Sequence, residues 1–277
     1  MSRVALVTGG TRGIGHAISV ELKNAGFDVA ATYAGNDEAA KKFTDETGIK
    51  TYKWDVGDYD ACVEGLKKVE ADHGPIDTVV NNAGITRDAM LHKLTPQMWR
   101  EVMSADLDSM FNMCQPLISG MRDRGFGRIV NISSMTGLVA NPPNGYYSST
   151  KFALEALTEA LAQEVKPFGI KVTAIEPGAF RTDWAARSMW ESATPIGDYD
   201  DTVGSRKTMI KEFANHLPGD PRKAADAVLM VTGLDDPPLR LLLGRDVLKA
   251  VRDKLAAFSA SIDEWAPVTK DVEFPRS

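Results

Sequence analysis

VALVTGGTRGIG, residues 4–15, sets four consecutive apolar residues against a turn holding four glycines and the start of a helical pattern. Val4–Val7 is short and apolar throughout, as a strand buried on both faces must be. The turn spaces Gly9, Gly13 and Gly15, with Gly10 as an extra glycine. It differs from the simple G-x-G-x-x-G fingerprint, and it is no P-loop, because no GKS or GKT follows. The physics is shared: glycines let the backbone turn tightly and approach a pyrophosphate. The helix N-terminus adds N–H donors and the positive end of its dipole. A glycine cluster alone could be only a strand–helix turn. Its place directly after the first strand of an alternating chain makes it a nucleotide site.

Outward from that turn the pattern repeats. Apolar β-rich runs at 29–33, 51–54, 76–80, 128–132, 170–175 and 239–243 alternate with helical periods. The helices are predicted to about residue 25, then over 37–47, 60–72, 96–121, 146–166 and 221–232. Strand–helix alternation of this kind predicts an α/β, doubly wound (Rossmann-type) parallel sheet of about seven strands with helices on both faces. One domain spans residues 1–277. It carries an irregular insertion at 184–217 and an appendage at 246–277, helical to about residue 265 and looser through APVTKDVEFPRS.

The 277 residues carry a formal net charge of −6. Without a basic surplus to displace counterions, non-specific nucleic-acid binding is not expected. Cys62 and Cys114 lie far apart in no metal-like spacing, which points to a reducing compartment. The four histidines form no ligand pair, so no metal site is expected. The N-terminal apolar run is too short for a signal peptide, and no stretch approaches membrane-span length. The expectation is a cytoplasmic protein.

The second strand ends in AATYAGN, residues 30–36, with no carboxylate at Tyr33 or Ala34 to hold an adenosine ribose. Arg12, inside the glycine turn, either meets a 2′-phosphate or is a solvated turn residue. Together these favour NADP(H) over NAD(H). Asp55, after the third strand, is placed to hydrogen-bond adenine, to cap a helix, or both.

Chemistry is carried by NGYYSSTK, residues 144–151. Tyr147 and Lys151 stand at i and i+4, on one helix face. Tyr146, five residues from Lys151, points away and packs or lines the pocket wall, so Tyr146→Phe is expected to be tolerated. A neutral-pH proton donor needs a pKa nearer 7 than phenol's ~10, and a nearby ammonium favours phenolate. Ser134, closing NISS thirteen residues before Tyr147, is placed to polarise a carbonyl oxygen. A Y-x-x-x-K pattern alone is usually decorative; the serine and the upstream glycine turn give this one meaning.

TGGTRGIG, Asp55, NNAG at 81–84, Ser134, Tyr147, Lys151 and PGAFRT at 177–182 fall in one order. That order resembles the short-chain dehydrogenase/reductase family over about residues 3–182. The resemblance implies that Tyr147 is the proton donor or acceptor. Lys151 binds the nicotinamide ribose and lowers the tyrosine pKa, and Ser134 holds the substrate oxygen. It implies a cofactor site of Gly9, Thr11, Arg12, Gly13, Ile14, Gly15, Tyr33, Asp55, Val56, Asn82, Ala83, Gly84, Tyr147, Lys151, Pro177, Gly178 and Thr182, holding NADPH or NADP+. It also implies a homodimer or homotetramer, through the helices near 96–121 and 146–166. One departure stands out. The family usually keeps an asparagine, which holds a relay water, where SADLDSMFN has Asp106. Asn112 fits that register less well. An aspartate accepts from the same water but adds charge near Lys151. Either a shifted pH profile or lowered turnover is expected, or Asp106 simply packs or caps.

The first half, including KWDVGDYDACVEGL, NNAGITRDAM and GMRDRGFGRIVNISS, is similar to bacterial acetoacetyl-CoA reductases and 3-oxoacyl relatives. The second half, FALEALTEALAQEVKPFGIKVTAIEPGAFRTDW and later PPLRLLLGRDVLKAVRDKL, is more similar to short-chain oxidoreductases with an extended C-terminus. The glycine-rich terminal strand that helps 3-oxoacyl reductases form tetramers is absent. The insertion falls where the family places its substrate lid. Trp184, Met189, Trp190 and Phe213 either contact substrate or anchor it, and Arg187, Arg206 and Lys207 either meet an anionic substrate or face solvent. The first expectation is an NADPH-dependent reductase of a small-molecule carbonyl such as acetoacetyl-CoA. Alternatives are a dehydrogenase of hydrophobic secondary alcohols and a non-catalytic NADP(H)-binding sensor.

Overall fold

Seven strands lie side by side in the order β3-β2-β1-β4-β5-β6-β7. The computed structural model describes residues 2–87, 91–142, 144–182 and 217–274. The strands are β1 (Val4–Val7), β2 (Asp28–Tyr33), β3 (Lys50–Lys53), β4 (Ile76–Asn81), β5 (Gly127–Ile132), β6 (Ile170–Pro177) and β7 (Arg240–Leu243). Every neighbouring pair is parallel. The chain runs outward from β1 to β3, then returns to start β4 on the other side of β1. The strand ends at β1 and β4 therefore form the switch point where ligands bind in such sheets.

Alternation along β1 feeds two cores. Val4 and Leu6 join Val79, Ile129, Met113, Leu117 and Leu154 on one face. Ala5 and Val7 join Val80, Val130, Ile18, Leu22 and Val228 on the other. The first face is covered by α3 (Tyr59–His73), α5 (Ser109–Arg124) and α6 (Gly145–Val165). The second is covered by α1 (Gly13–Asn24), α2 (Asp37–Thr47) and α7 (Pro221–Gly233).

Helix starts follow their caps. Asn36 accepts from the Ala39 N–H, Asp58 from Ala61, Thr95 from Met98 ahead of Pro96, and Asp220 from Arg222. Asp58, rather than Asp55, caps α3; Asp55 instead holds the Gly57 N–H at 2.9 Å.

Two expected elements differ. The helix predicted over 96–121 is interrupted. It runs as α4 (Pro96–Met103), a π-helical turn (Ser104–Asp108) and α5. Such a turn widens the helix without glycine or proline, so the apolar spacing alone does not reveal it. The appendage does not loosen after residue 265. Helix α8 (Arg245–Asp271) passes through Pro267, and only Val247 and Val251 of it are buried. Among the described residues no helix is long and apolar enough to cross a membrane. No group of three or more His, Cys, Asp or Glu among them is placed to hold a metal ion.

Candidate active site

The carboxyl ends of β1, β4, β5 and β6 open into a cleft of about 1170 Å³. Its floor is the glycine turn. Gly9 and Gly13 have φ of 59° and 56°, a backbone region that side chains other than glycine rarely adopt. A Cβ on Gly15 would stand 2.4 Å from both the Gly9 carbonyl oxygen and Asn82 Nδ2. NNAG is bolted to this turn: Thr8 Oγ1 accepts from the Asn82 and Ala83 N–H groups at 2.9 and 3.0 Å. Asn82 Nδ2 donates to the Thr8 carbonyl at 2.8 Å. Arg12, the residue before α1, is extended and puts no side-chain cap on the helix, and the first turn holds no acid. Uncapped N–H donors at a positive dipole end, beside glycines that let a ligand approach the backbone, fit a pyrophosphate.

Thr11, Arg12, Ile14, Tyr33, Asp55 and Val56 line the same cleft, with Ala34, Gly35 and Asn36 beside them. No carboxylate stands at the end of β2 itself, in residues 30–36. The structure brings one near: Asp37 Oδ1 accepts from the Tyr33 hydroxyl at 3.0 Å, and Oδ2 pairs with Lys53 at 2.8 Å. Those two partners hold the Asp37 carboxyl below its ordinary pKa. Its charge is thus balanced by Lys53.

At the inner end, α6 and the turn after β5 bring three groups together. Tyr147 hydrogen-bonds Ser134, while Thr136 fixes the serine by donating to its Oγ from N at 3.2 Å and from Oγ1 at 3.0 Å. Lys151 is buried, donates from Nζ to the Ile132 carbonyl at 3.1 Å, and sits 5.6 Å from the Tyr147 ring centre. The expected lowering of the Tyr147 pKa is not what this arrangement produces. Burial first, then the Asp106 charge, push the phenol up, and the Ser134 bond only partly opposes them. Burial also pulls the Lys151 ammonium below its ordinary value, against Asp106 and Glu155.

Asp106 enters this cluster from the π-helical turn. Oδ1 accepts from the Ile85 N–H at 2.7 Å, while Oδ2 is buried with no hydrogen-bond partner. Burial pushes the carboxyl up to about 6, against Lys151, the Ile85 N–H and Arg87. Gly84 makes room for it, since a Cβ there would come within 3.2 Å of Oδ1. Asn112 lies elsewhere, donating to the Val56 carbonyl at 2.9 Å.

Tyr146 is 2% exposed and does not line the cleft. Its hydroxyl accepts from the Arg87 N–H at 2.7 Å and lies 2.9 Å from Thr86 Oγ1. Of the two roles expected for it, packing or lining the pocket wall, it takes the first, anchoring the segment after NNAG. Pro177, Gly178 and Thr182 line the cleft at the end of β6. A Cβ on Gly178 would meet Val247 at 2.6 Å. Arg87, Arg100 and Glu101 also line the cleft, which no spacing in the sequence signals. Trp184, Arg187, Met189, Trp190, Arg206, Lys207 and Phe213 lie outside the described residues.

The profile of the family described as short chain dehydrogenase matches residues 3–192. An acetoacetyl-CoA reductase of Shinella zoogloeoides is 61% identical over 183 residues, 66% of this chain and 76% of that protein. A Botryotinia fuckeliana protein named oxidoreductase BOA17 is 32% identical over 268 residues, 96% of this chain and 97% of that one. The structure of a short-chain dehydrogenase from Streptomyces avermitilis superposes with a TM-score of 0.90 at 34% identity, covering 99% of this chain and 100% of that one. The closed form of a serine dehydrogenase complexed with NADP+ superposes with a TM-score of 0.74 at 25% identity, covering 87% and 94%. Profile, relatives and fold agree with one another. The chain belongs to the short-chain dehydrogenase family of oxidoreductases.

Proposed function

We propose that the protein is an NADPH-dependent carbonyl reductase acting on a ketone, with a 3-oxoacyl-CoA such as acetoacetyl-CoA as first substrate. The observation that carries this is the meeting of Ser134, Tyr147 and Lys151 at the inner end of the cleft. Ser134, whose Oγ accepts twice from Thr136, has one proton to give in a hydrogen bond. That bond passes from the Tyr147 oxygen to the substrate oxygen when a carbonyl binds. Tyr147 keeps its proton until a carbonyl oxygen gains charge, because burial and Asp106 hold its phenol high. The phenol therefore stays protonated at neutral pH and has a proton to give in the reducing direction. It gives that proton up less readily than an acid tuned nearer ~7. Lys151, fixed through Ile132, has N–H donors left for ribose hydroxyls. A reduced nicotinamide held along the cleft supplies the hydride to the carbonyl carbon. Position and field are the protein's contribution.

The phosphate preference rests on Arg12, which lines the cleft beside Tyr33 and Ala34, and on the balancing of Asp37 by Lys53. The thioester rests on the 61% identity to acetoacetyl-CoA reductase, and Arg100 at the cleft offers a cation to an anionic substrate. A second reading, a reductase of hydrophobic ketones, is favoured by the length of that match, which covers 66% of the chain. NADPH absorbance followed with acetoacetyl-CoA and with a panel of hydrophobic ketones separates the two. Turnover of the thioester supports the first substrate, and turnover of hydrophobic ketones alone removes it. NADPH binding with no turnover on any carbonyl would leave a sensor.

A further inference from the structure

The last helix carries a pattern that the active site does not use. From Leu248 the apolar positions of α8 recur at steps of three and four: Val251, Leu255, Phe258, Ile262 and Trp265. The polar Thr269 comes next in the same register, and Val272 lies just past the helix end. This is a heptad seam with its two core positions filled over three repeats. Pro267 falls on the opposite side of the helix, away from the seam. The root of the seam is in use, because Val251 is buried against the chain's own body. Lys254 lies over the Phe152 ring at 4.5 Å and donates to the Leu138 carbonyl. Beyond that point the helix leaves the body: Leu255, Phe258, Ile262 and Trp265 are 60%, 62%, 53% and 58% exposed. The 17 residues from Leu255 to Asp271 span about 25 Å. A lone helix of this length is marginal in water, and a continuous apolar seam on it marks an interaction surface.

We propose that this seam pairs with the same helix of a second copy of the chain, antiparallel, about a two-fold axis near Ala260. The register supports that occupant. About residue 260, Leu255 of one copy faces Trp265 of the other, and Phe258 faces Ile262. Both of these layers join the two different seam positions, as antiparallel pairing requires, while Val251 stays with the chain's own body. Charge supports it as well. Residues 245–254 carry a net charge of +2, with Asp246 and Asp253 among the basic side chains and Lys249 paired to Asp253. Residues 263–273 carry a net −3, with Lys270 among the acids. Antiparallel pairing sets each basic root against the other copy's acidic tip; parallel pairing sets like against like. Between them Ala256, Ala257, Ser259, Ala260 and Ser261 keep the helix slim around the axis. A two-fold contact of this kind is self-complementary and closed.

Sedimentation velocity of the full chain tests the pairing. Phe258→Glu with Ile262→Glu is expected to halve the mass of the assembly while leaving NADPH affinity unchanged, since neither residue touches the cleft or the core. Orientation is read by mixing Leu255→Cys with Trp265→Cys under oxidation. Cross-links between the two variants are expected to exceed those within either one, because antiparallel pairing holds like positions about 15 Å apart along the axis. Cys62 and Cys114 are buried and do not compete. A mass unaffected by the double substitution, a wild-type monomer, or cross-links mainly between like positions would each overturn the proposal. So would a monomer whose seam binds anionic phospholipid vesicles, which would assign the helix to a lipid surface.

Discussion

Asp106 holds one oxygen on the Ile85 N–H and buries the other without a hydrogen bond, close enough to Tyr147 and Lys151 to shift both. Its carboxyl is raised to about 6, so the folded protein binds that proton more tightly than the unfolded chain does. The resulting stability is complete below the ordinary carboxylate pKa and is lost as pH rises through 6. A shift of this size corresponds to about 3 kcal/mol at pH 8. Asp106→Asn is therefore expected to raise stability at pH 8 and to add little at pH 4, measured by urea denaturation at the two pH values. The same substitution removes a charge that holds the Tyr147 phenol high, so the limb of the pH–rate profile set by that tyrosine should move down. An unmoved limb would mean that the Asp106 field does not reach the reacting oxygen. Tyr146 makes a different prediction. Tyr146→Phe leaves the Arg87 N–H without its acceptor and should cost about 1–2 kcal/mol in thermal or urea unfolding, with turnover falling less than tenfold. Register separates the two tyrosines in the sequence, because Lys151 is four residues from one and five from the other. The partner of Tyr146 is not legible there, since it comes from a loop 59 residues earlier.

Among the elements, the strand-to-helix turn at β1 is the most fully written in the sequence. Each of its glycines has a local reason: a positive φ at Gly9 and Gly13, and a facing carbonyl at Gly15. Gly15→Ala forces a Cβ against the Gly9 carbonyl and Asn82, which ties the turn to β4. It is expected to weaken NADPH binding tenfold or more and to cost about 1–3 kcal/mol of stability, read by fluorescence titration and thermal unfolding. Strand limits fall within one residue of their apolar runs, except where β6 continues two residues to Pro177, and for the inner strands burial on both faces is the reason. The π-helical turn and the length of α8 are different. Ser104–Asp108 contains no breaker, so nothing local marks the turn that swings Asp106 inward. Pro267 reads as a breaker, yet it sits in the helix on an exposed side, where the missing N–H is tolerated.

At the scale of the molecule, the cofactor half is legible because its residues come in short motifs on consecutive strand ends. The substrate half is not, because residues 184–217 show no period and no motif that names a ligand. The same division shows in the relatives, where high identity to a reductase of known name extends over 183 residues and lower identity to other oxidoreductases extends over almost the whole chain. The central claim is that Tyr147 delivers the proton while NADPH reduces a carbonyl carbon. It is tested most directly by the rate of NADPH consumption with acetoacetyl-CoA, wild type against Tyr147→Phe, with NADPH affinity measured on both. The account predicts turnover by the wild type, a loss of roughly 10²–10⁴-fold or more in the variant, and equal NADPH affinity. A variant that turns over at the wild-type rate would contradict it.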